Sequence, residues 1–422
     1  RQCPPQASGR QAAQKVVMLK KIWRKKMINR NYIKCDTCDT PIILRVQIGN
    51  NEHPVYSFYC PICQEKIEIG LNISTETVSF EYIYKENCSP IEENEDGTII
   101  NLSAELPVDE RYKNKDKYFP FLFTKKELFG TKKVDFPVIK RVHKNWKNLR
   151  RACNLTVSKK HKIANRFIEN YEYIYDPDKD NDIFSQLHDF ISFFLLPEKY
   201  KYIENVLEQS KLDQKKYKQE YLKLFEYFIE NIFEKNFQKI INIISKYMEN
   251  FEALYPILLY IRSEKYIPSE ISTSSFSFES LKMFYGNAFE LLSNLFELLA
   301  IINNIHNGRD FDKFKSMDLK KYKTIDKAKR ANPFYDNEVL YHFTEEFNSS
   351  IRNASHHDNM KLVSENIILY SSGKPLKEKQ MSTREYIISC NKIFINILSI
   401  ADIMLYFNEF SRIAINKWGF MK

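Results

Sequence analysis

A chain of 422 residues is too long for one ordinary hydrophobic core and predicts two or three domains, at roughly 100 to 200 residues per domain. Its 43% hydrophobic and 28% charged residues exclude wholesale disorder, and only 9 Gly and 15 Pro exclude a turn-rich all-β sandwich in favour of long helices. The net charge of +10 would suit a polyanionic partner, although a Lys-, Asn- and Ile-rich composition accounts for much of it without one.

In chain order, residues 1–17 are rich in Gln and Ala and lack the Ile and Asn that mark the remainder. They read as an expression scar, with Met18 or Met27 as the native start. From Leu19 to Lys34 a basic lead-in sets Lys20, Lys21, Arg24, Lys25, Lys26 and Arg30 around Trp23, either solvated or serving as a nucleic-acid arm. Residues 18–85 then form a small domain around two C-x-x-C turns, Cys35-Asp36-Thr37-Cys38 and Cys60-Pro61-Ile62-Cys63. Two such turns can place four sulfurs about 2.3 Å from one tetrahedral Zn²⁺, and a small sheet with little core needs that staple. One structural zinc per chain is therefore expected, and a closed four-thiolate shell leaves no open position for catalysis. The alternating runs 42–48 and 55–59, either side of 49–54, read as a hairpin that brings the second turn beside the first, the zinc-ribbon arrangement. A third run, 66–73, adds a strand to the same sheet, and His53 is a loop residue rather than a ligand.

Residues 86–124 are acidic, with Pro90, Asp96-Gly97 and Pro107, and are expected as a linker or loop region. The span 125–270 is a helical middle domain. It opens on the densest basic region of the chain, 125–162, which either tracks an RNA backbone or is a solvated Lys-rich face. Further on, Tyr221, Leu224, Phe225, Phe228 and Ile232, then Ile240, Ile244, Tyr247 and Phe251, recur at helical spacing as a core stripe. Pro268 and Ser272-Thr273-Ser274-Ser275 mark the last boundary, leaving 271–422 as the C-terminal domain. There a helix through Leu281, Phe284, Ala288, Leu291, Leu292, Leu295, Leu298, Leu299 and Ile302 ends at Asn307-Gly308. A second helix after Pro333 runs through Leu340, Phe343, Phe347 and Ile351. The last, from Thr383 to about Ile415, carries Ile387, Cys390, Phe394, Ile397, Leu398, Ala401 and Leu405. The fold class expected is mainly α, with a small N-terminal β zinc ribbon, a helical middle region and a C-terminal helical bundle bearing a short β-hairpin.

The chemistry-bearing segment is Ile351-Arg352-Asn353-Ala354-Ser355-His356-His357-Asp358-Asn359. Metal-free RNA cleavage needs a base for the 2′-hydroxyl proton, donors for charge developing on the phosphate, and an acid for the 5′ leaving oxygen. His exchanges protons near neutral pH and Arg presents a permanent planar fork to phosphate. Arg352-Asn353-x-x-x-His357 resembles the signature of HEPN ribonucleases. So does its setting, at the end of a bundle helix followed by a short hairpin (Ser364 to Tyr370, then Ser371-Ser372-Gly373-Lys374-Pro375) and a final long helix, over roughly residues 280 to 415. The resemblance implies a metal-independent endoribonuclease acting as a homodimer, of the abortive-infection or toxin type directed against phage. By position, Arg352 would contact the phosphate, His357 would be general base or acid, and Asn353 would orient one of them. His356 shares the helix face of Arg352, four positions on, whereas His357 is turned about 140° away on an ideal helix. His143, His161, His188, His306 and His342 stand alone in sequence and are expected to be structural, with His342 on the same helix as Arg352.

The function expected is RNA cleavage in antiphage defence or as a toxin, needing no cofactor beyond the structural zinc, with a phage-derived trigger or an antitoxin as further partner. The alternative is a non-enzymatic zinc-ribbon module that binds nucleic acid or protein, its bundle inactive because Arg352 and the histidines only cap a helix C-terminus. No run of about 18 uncharged apolar residues and no signal-peptide pattern is present, and paired C-x-x-C suits a reducing compartment, so a cytoplasmic protein without membrane contact is expected. No Gly-rich phosphate loop, Ser-His-Asp pattern or carboxylate cluster points to other chemistry.

Overall fold

The structure, a computed structural model, describes residues 28–47, 53–74, 79–94, 96–103, 108–109, 136–169, 171–174, 182–262, 267, 271–273, 277–356, 359–364, 367–373 and 377–418. The expected scar, most of the basic lead-in, the basic run up to residue 135 and His357 lie outside them. Among the described residues the protein is mainly α, with eleven α-helices and four small β-sheets. The chain forms two compact units: Arg1–Lys133 with Glu252–Ser277 and Ser364–Asn366, and Val134–Phe251 with Phe278–Val363 and Ile367–Lys422.

The first unit is built on strands β1 (Ile28–Cys35), β2 (Pro41–Gln47), β3 (Val55–Tyr59), β4 (Lys66–Ser74), β5 (Ser79–Glu86), β6 (Cys88–Pro90), β7 (Thr98–Ser103), β8 (Val108–Asp109) and β9 (Ile271–Ser272). One sheet has the order β6-β1-β2-β7 and a second the order β3-β4-β5, while β8 pairs with β9. Ile33, Ile42, Leu44 and Val46 of the first sheet share one core with Tyr56, Phe58, Ile67, Ile69 and Leu71 of the second. Tyr82 and Tyr84 donate from β5 to Asn29 and Asn31 of β1, at 2.7 and 3.4 Å.

This arrangement corrects three expectations. The runs 42–48 and 55–59 do not pair with each other: β2 pairs with β1 and, in parallel, with β7, whereas β3 pairs with β4. Five consecutive residues of β2 are buried, as befits a central strand covered on both faces rather than one side of an exposed hairpin. The third run does add a strand beside the second, but in a separate sheet. The acidic stretch expected as a linker contributes β6, β7 and β8, with β6 and β7 completing the edges of the first sheet. Pro90 ends β6 and Asp96-Gly97 lie just before β7, whereas Pro107 and residues 110–124 of the stretch lie outside the described residues.

The second unit is helical: α1 (Phe136–Val157), α2 (His161–Ile168), α3 (Ile183–Ser192), α4 (Pro197–Lys216), α5 (Lys218–Tyr227) and α6 (Glu234–Glu249), then, after α7 (Phe251–Arg262), α8 (Phe278–His306), α9 (Leu319–Tyr322), α10 (Ser349–His356) and α11 (Thr383–Trp418). From Glu252 onward α7 is part of the first unit. Sequence sets several of these boundaries. The Asp182 carboxylate accepts from the Phe184 and Ser185 amides to cap α3, and Pro197 opens α4, where its missing N–H costs nothing. Gly308, at φ +74°, ends α8 with paired bonds from its own amide to Ile305 O and from Arg309 N to Asn304 O, a Schellman closure. A π-helical turn at Phe228–Phe233 joins α5 to α6.

The stripe Tyr221, Leu224, Phe225, Phe228, Ile232, Ile240, Ile244, Tyr247 and Phe251 is buried throughout, as expected. Its centre is aromatic: Tyr247 stacks on Phe394 with centroids 3.9 Å apart, and both rings meet Phe194 and Phe284. The Tyr247 hydroxyl donates to Asn391 Oδ1 at 2.7 Å. Middle and C-terminal helices thus share one unit, and the boundary expected near residue 270 does not divide them. Helices α8 and Thr383–Ala414 of α11 are long and apolar enough, by length and composition, to cross a membrane. Their most apolar windows are 83% and 89% buried within the protein, which is how core helices of a bundle pass the same test.

The helix expected from Pro333 to Ile351 is replaced by 3₁₀ turns at Asn332–Phe334 and Leu340–Phe343, with only α10 fully helical. Leu340, Phe343 and Ile351 are buried nonetheless. Offsets of three and four also suit a packed irregular segment, and here Asn337 turns the chain by accepting from the Val339 and Leu340 amides. Strands β10 (Met360–Ser364), β11 (Ile367–Ser372) and β12 (Lys377–Ser382) form a three-stranded sheet, one strand more than the expected hairpin, and lead into α11.

Candidate functional site

Four cysteines of the first unit converge. All Sγ atoms of Cys35, Cys38, Cys60 and Cys63 lie within 4.8 Å of one another, so the group could bind one metal ion. Two turns of identical construction hold them. Asp39 N donates to Cys35 O at 2.8 Å and Gln64 N to Cys60 O at 3.0 Å, while Cys35 N and Cys60 N reach Thr40 O and Glu65 O. The residue after each second cysteine is left-handed, Asp39 at φ 54° and Gln64 at φ 62°. Each turn sits at the tip of its own hairpin, β1–β2 and β3–β4.

Asn87, itself at φ 52°, joins the two turns. Its Oδ1 accepts from Thr37 Oγ1 at 2.8 Å and lies 3.7 Å from Cys35 Sγ, while its Nδ2 donates to Lys66 O at 3.1 Å. The Thr40 hydroxyl, 3.0 Å from Cys38 Sγ, and the Thr40 amide lower that thiol to about 6. At Cys63 a bond from the Glu65 backbone acts in the same direction, but burial and the neighbouring sulfurs prevail and push it up to about 12. One thiolate among crowded thiols is the charge pattern that a cation relieves. Cys88 lies opposite Cys35 in β6 but is outside the cluster, and His53 bonds Asn72 Oδ1 at 3.0 Å instead.

In the second unit, α10 is capped by Asn348, whose Oδ1 accepts from the Ser350 and Ile351 amides. The loop before it is pinned to both long helices. Tyr285 of α8 donates to Glu346 O, Asn396 of α11 donates to Glu345 O, and Ser389 and Lys392 of α11 hold the Glu346 carboxylate. So placed, α10 crosses α8. Arg352 donates through Nε and Nη2 to Glu290 Oε1, at 2.9 and 2.5 Å, and through Nη1 to Asn353 Oδ1 at 2.9 Å. One turn on, His356 lies over Gly286, where an added Cβ would come within 3.0 Å of its Nε2. Residues a turn apart in α10 thus meet residues a turn apart in α8. The absence of a side chain at Gly286 is what admits the imidazole. His357 lies outside the described residues.

No protein-family model matches this chain, and neither does any curated protein or solved structure.

Sequence reasoning missed the groups around Arg352. Lys327 forms an ion pair with the other oxygen of Glu290. Despite that contact, burial and the nearby cations Arg352, Arg330 and Lys239 hold its ammonium below the ordinary lysine value. Arg330 donates to Asn294 Oδ1 at 2.8 Å. Chemically this is an arginine fork partly neutralised by one carboxylate, inside an excess of positive charge, with an exposed imidazole beside it. Of the isolated histidines, three have carboxylate partners: His188 with Asp402 at 2.5 Å, His306 with Asp213 at 3.0 Å and His342 with Glu345 at 3.0 Å. His342 is in a 3₁₀ turn and not on the helix of Arg352, and it stacks on Tyr202 at 3.9 Å. His143 packs edge-on against Phe251, and burial lowers its basicity.

Proposed function

We propose that the protein is a metal-independent endoribonuclease of the HEPN type, carrying a zinc ribbon in its first unit. The observation that supports it most is Arg352. This motif arginine lies midway along a short bundle helix, sits among cations beside the one carboxylate it contacts, and has an imidazole one turn away at the helix end. In this reading a histidine takes the proton of the 2′-hydroxyl, the 2′-oxygen bonds to phosphorus as the P–O5′ bond breaks, and the leaving oxygen is protonated by a second group. Arg352 stabilises the charge gathered on the phosphoryl oxygens. His357 takes the proton-transfer role by its place in the motif, and Asn353 orients the guanidinium it already touches. A homodimer would bring two such sets together, and an antiphage or toxin role with a phage-derived trigger or an antitoxin fits a cytoplasmic RNA-cleaving effector. The four cysteines would hold zinc as a structural ion, since four thiolates complete its tetrahedral shell.

The test is incubation with tRNA and total RNA, with and without EDTA, beside Arg352→Ala and His357→Ala. Cleavage that survives EDTA and vanishes in both variants is expected. Cleavage unchanged by either substitution would refute the assignment. A second reading, a zinc-ribbon module that only binds nucleic acid or protein, draws on the cysteine cluster and predicts salt-dependent binding without cleavage.

A further inference from the structure

Between α6 and α8 runs a groove of about 320 Å³, lined by Lys239, Asn242, Ile243 and Lys246 from one helix and Asn287, Glu290, Leu291 and Asn294 from the other. Each set follows the spacing i, i+3, i+4, i+7, the positions by which packed helices ordinarily seal an apolar seam. Here only Ile243 and Leu291, both buried, form an apolar floor. The remaining positions carry lysines, amides and one carboxylate.

The charge is unbalanced. Glu290 is already shared by Arg352 and Lys327, whereas neither Lys239 nor Lys246 has an ion-pair partner among the described residues. Arg330 reaches the groove through Asn294. Five cations therefore lie on or beside a groove whose one carboxylate is the partner of Arg352. Its size lies at the lower end of ligand sites, roughly 300 to 1,000 Å³, enough for a short length of extended strand and too narrow for a folded partner or a duplex. Lysines spaced along a groove track a repeating phosphate charge, while amides supply both donors and acceptors of the kind base edges use.

We propose that the α6/α8 groove binds single-stranded RNA, with Lys239 and Lys246 on successive phosphates and Asn242, Asn287 and Asn294 beside the bases. The direction of the strand toward Arg352 rests on the ribonuclease reading; the binding itself does not. The expected binding surface is thus this groove, and not the basic run 125–162 singled out by composition.

The experiment uses the full chain and a fluorescein-labelled 2′-O-methyl oligonucleotide, which has no 2′-hydroxyl and cannot be cleaved. Anisotropy titrations across a salt series compare wild type with Lys239→Gln/Lys246→Gln, the reversal Lys239→Glu/Lys246→Glu, and Lys201→Gln/Lys215→Gln on α4 as a control of equal charge. Two lost phosphate contacts should take about 1.4 off the slope of log K against log salt, at roughly 0.7 per contact for single strands. The reversal should weaken binding further, the α4 pair should behave as wild type, and circular dichroism should be unchanged in all. A groove pair with wild-type affinity and slope, an equal loss in the α4 pair, or a wild type that binds poly-glutamate but not the oligonucleotide would each overturn the proposal. Failure of the ribonuclease reading is separate: binding would depend on the groove lysines while unmodified RNA stayed intact.

Discussion

In the first unit each pair of sulfurs is placed by a short turn completed within six residues, and the two pairs meet where their sheets share a core. In the second, Arg352 meets a carboxylate 62 residues away on another helix, shares it with a lysine from an intervening 3₁₀ turn, and reaches the Asn353 amide beside it. One site is built from local turns and could bind one cation. The other is assembled by tertiary packing and carries its own excess of charge. Their responses to perturbation should differ accordingly.

The largest expected effect is on the cysteine cluster. Cys60→Ser should abolish stoichiometric metal binding, measured by elemental analysis. Because structural zinc contributes on the order of 10 kcal/mol to small folds, it should also expose the first unit to proteolysis while the helical far-ultraviolet signal persists. A variant that keeps one tightly held metal per chain would break the contrast. Next, Arg352→Ala should lower the single-turnover cleavage rate about 100- to 1,000-fold, the effect of losing one preorganised donor to a developing oxyanion, with an unchanged melting temperature. Equal losses of rate and of fold would mean that Arg352 is structural.

Glu290→Gln removes the charge shared by Arg352 and Lys327. Binding of the uncleavable oligonucleotide should tighten roughly two- to fivefold, the scale of a partly exposed charge pair, while the cleavage rate falls because the guanidinium loses its anchor. Parallel changes in affinity and rate would exclude a positioning role. The smallest effect is expected for Gly286→Ala. Alanine favours the helix by up to about 1 kcal/mol, so thermal stability should hold or rise, yet the new methyl must displace His356. A cleavage pH profile identical to wild type would show that His356 takes no part.

The same contrast explains what the sequence made legible. The cysteine spacing fixes its own local geometry, so ligands and turns could be named, although the strand partners of each turn could not: alternation identifies strands but not which sheet they join. Arg352 was visible through its motif. Glu290 was not, being one acidic residue among many on a helix read only for its apolar face. The α6/α8 groove was hidden for a related reason. Reading α6 through Ile240, Ile244 and Tyr247 selects the core face, while Lys239, Asn242 and Lys246 belong to the adjacent face, whose role depends on what packs beside it. Apolar offsets after Pro333 suggested a helix where a packed loop satisfies the same burial.

That loop has a mechanical consequence. Its anchors are Tyr285 on α8 and Ser389, Lys392 and Asn396 on α11, and the helix it carries presents Arg352 to Glu290, again on α8. The segment works as a strut clamped at both ends to two rods. A change in the spacing of the rods would load these anchors together with the contact that restrains the guanidinium.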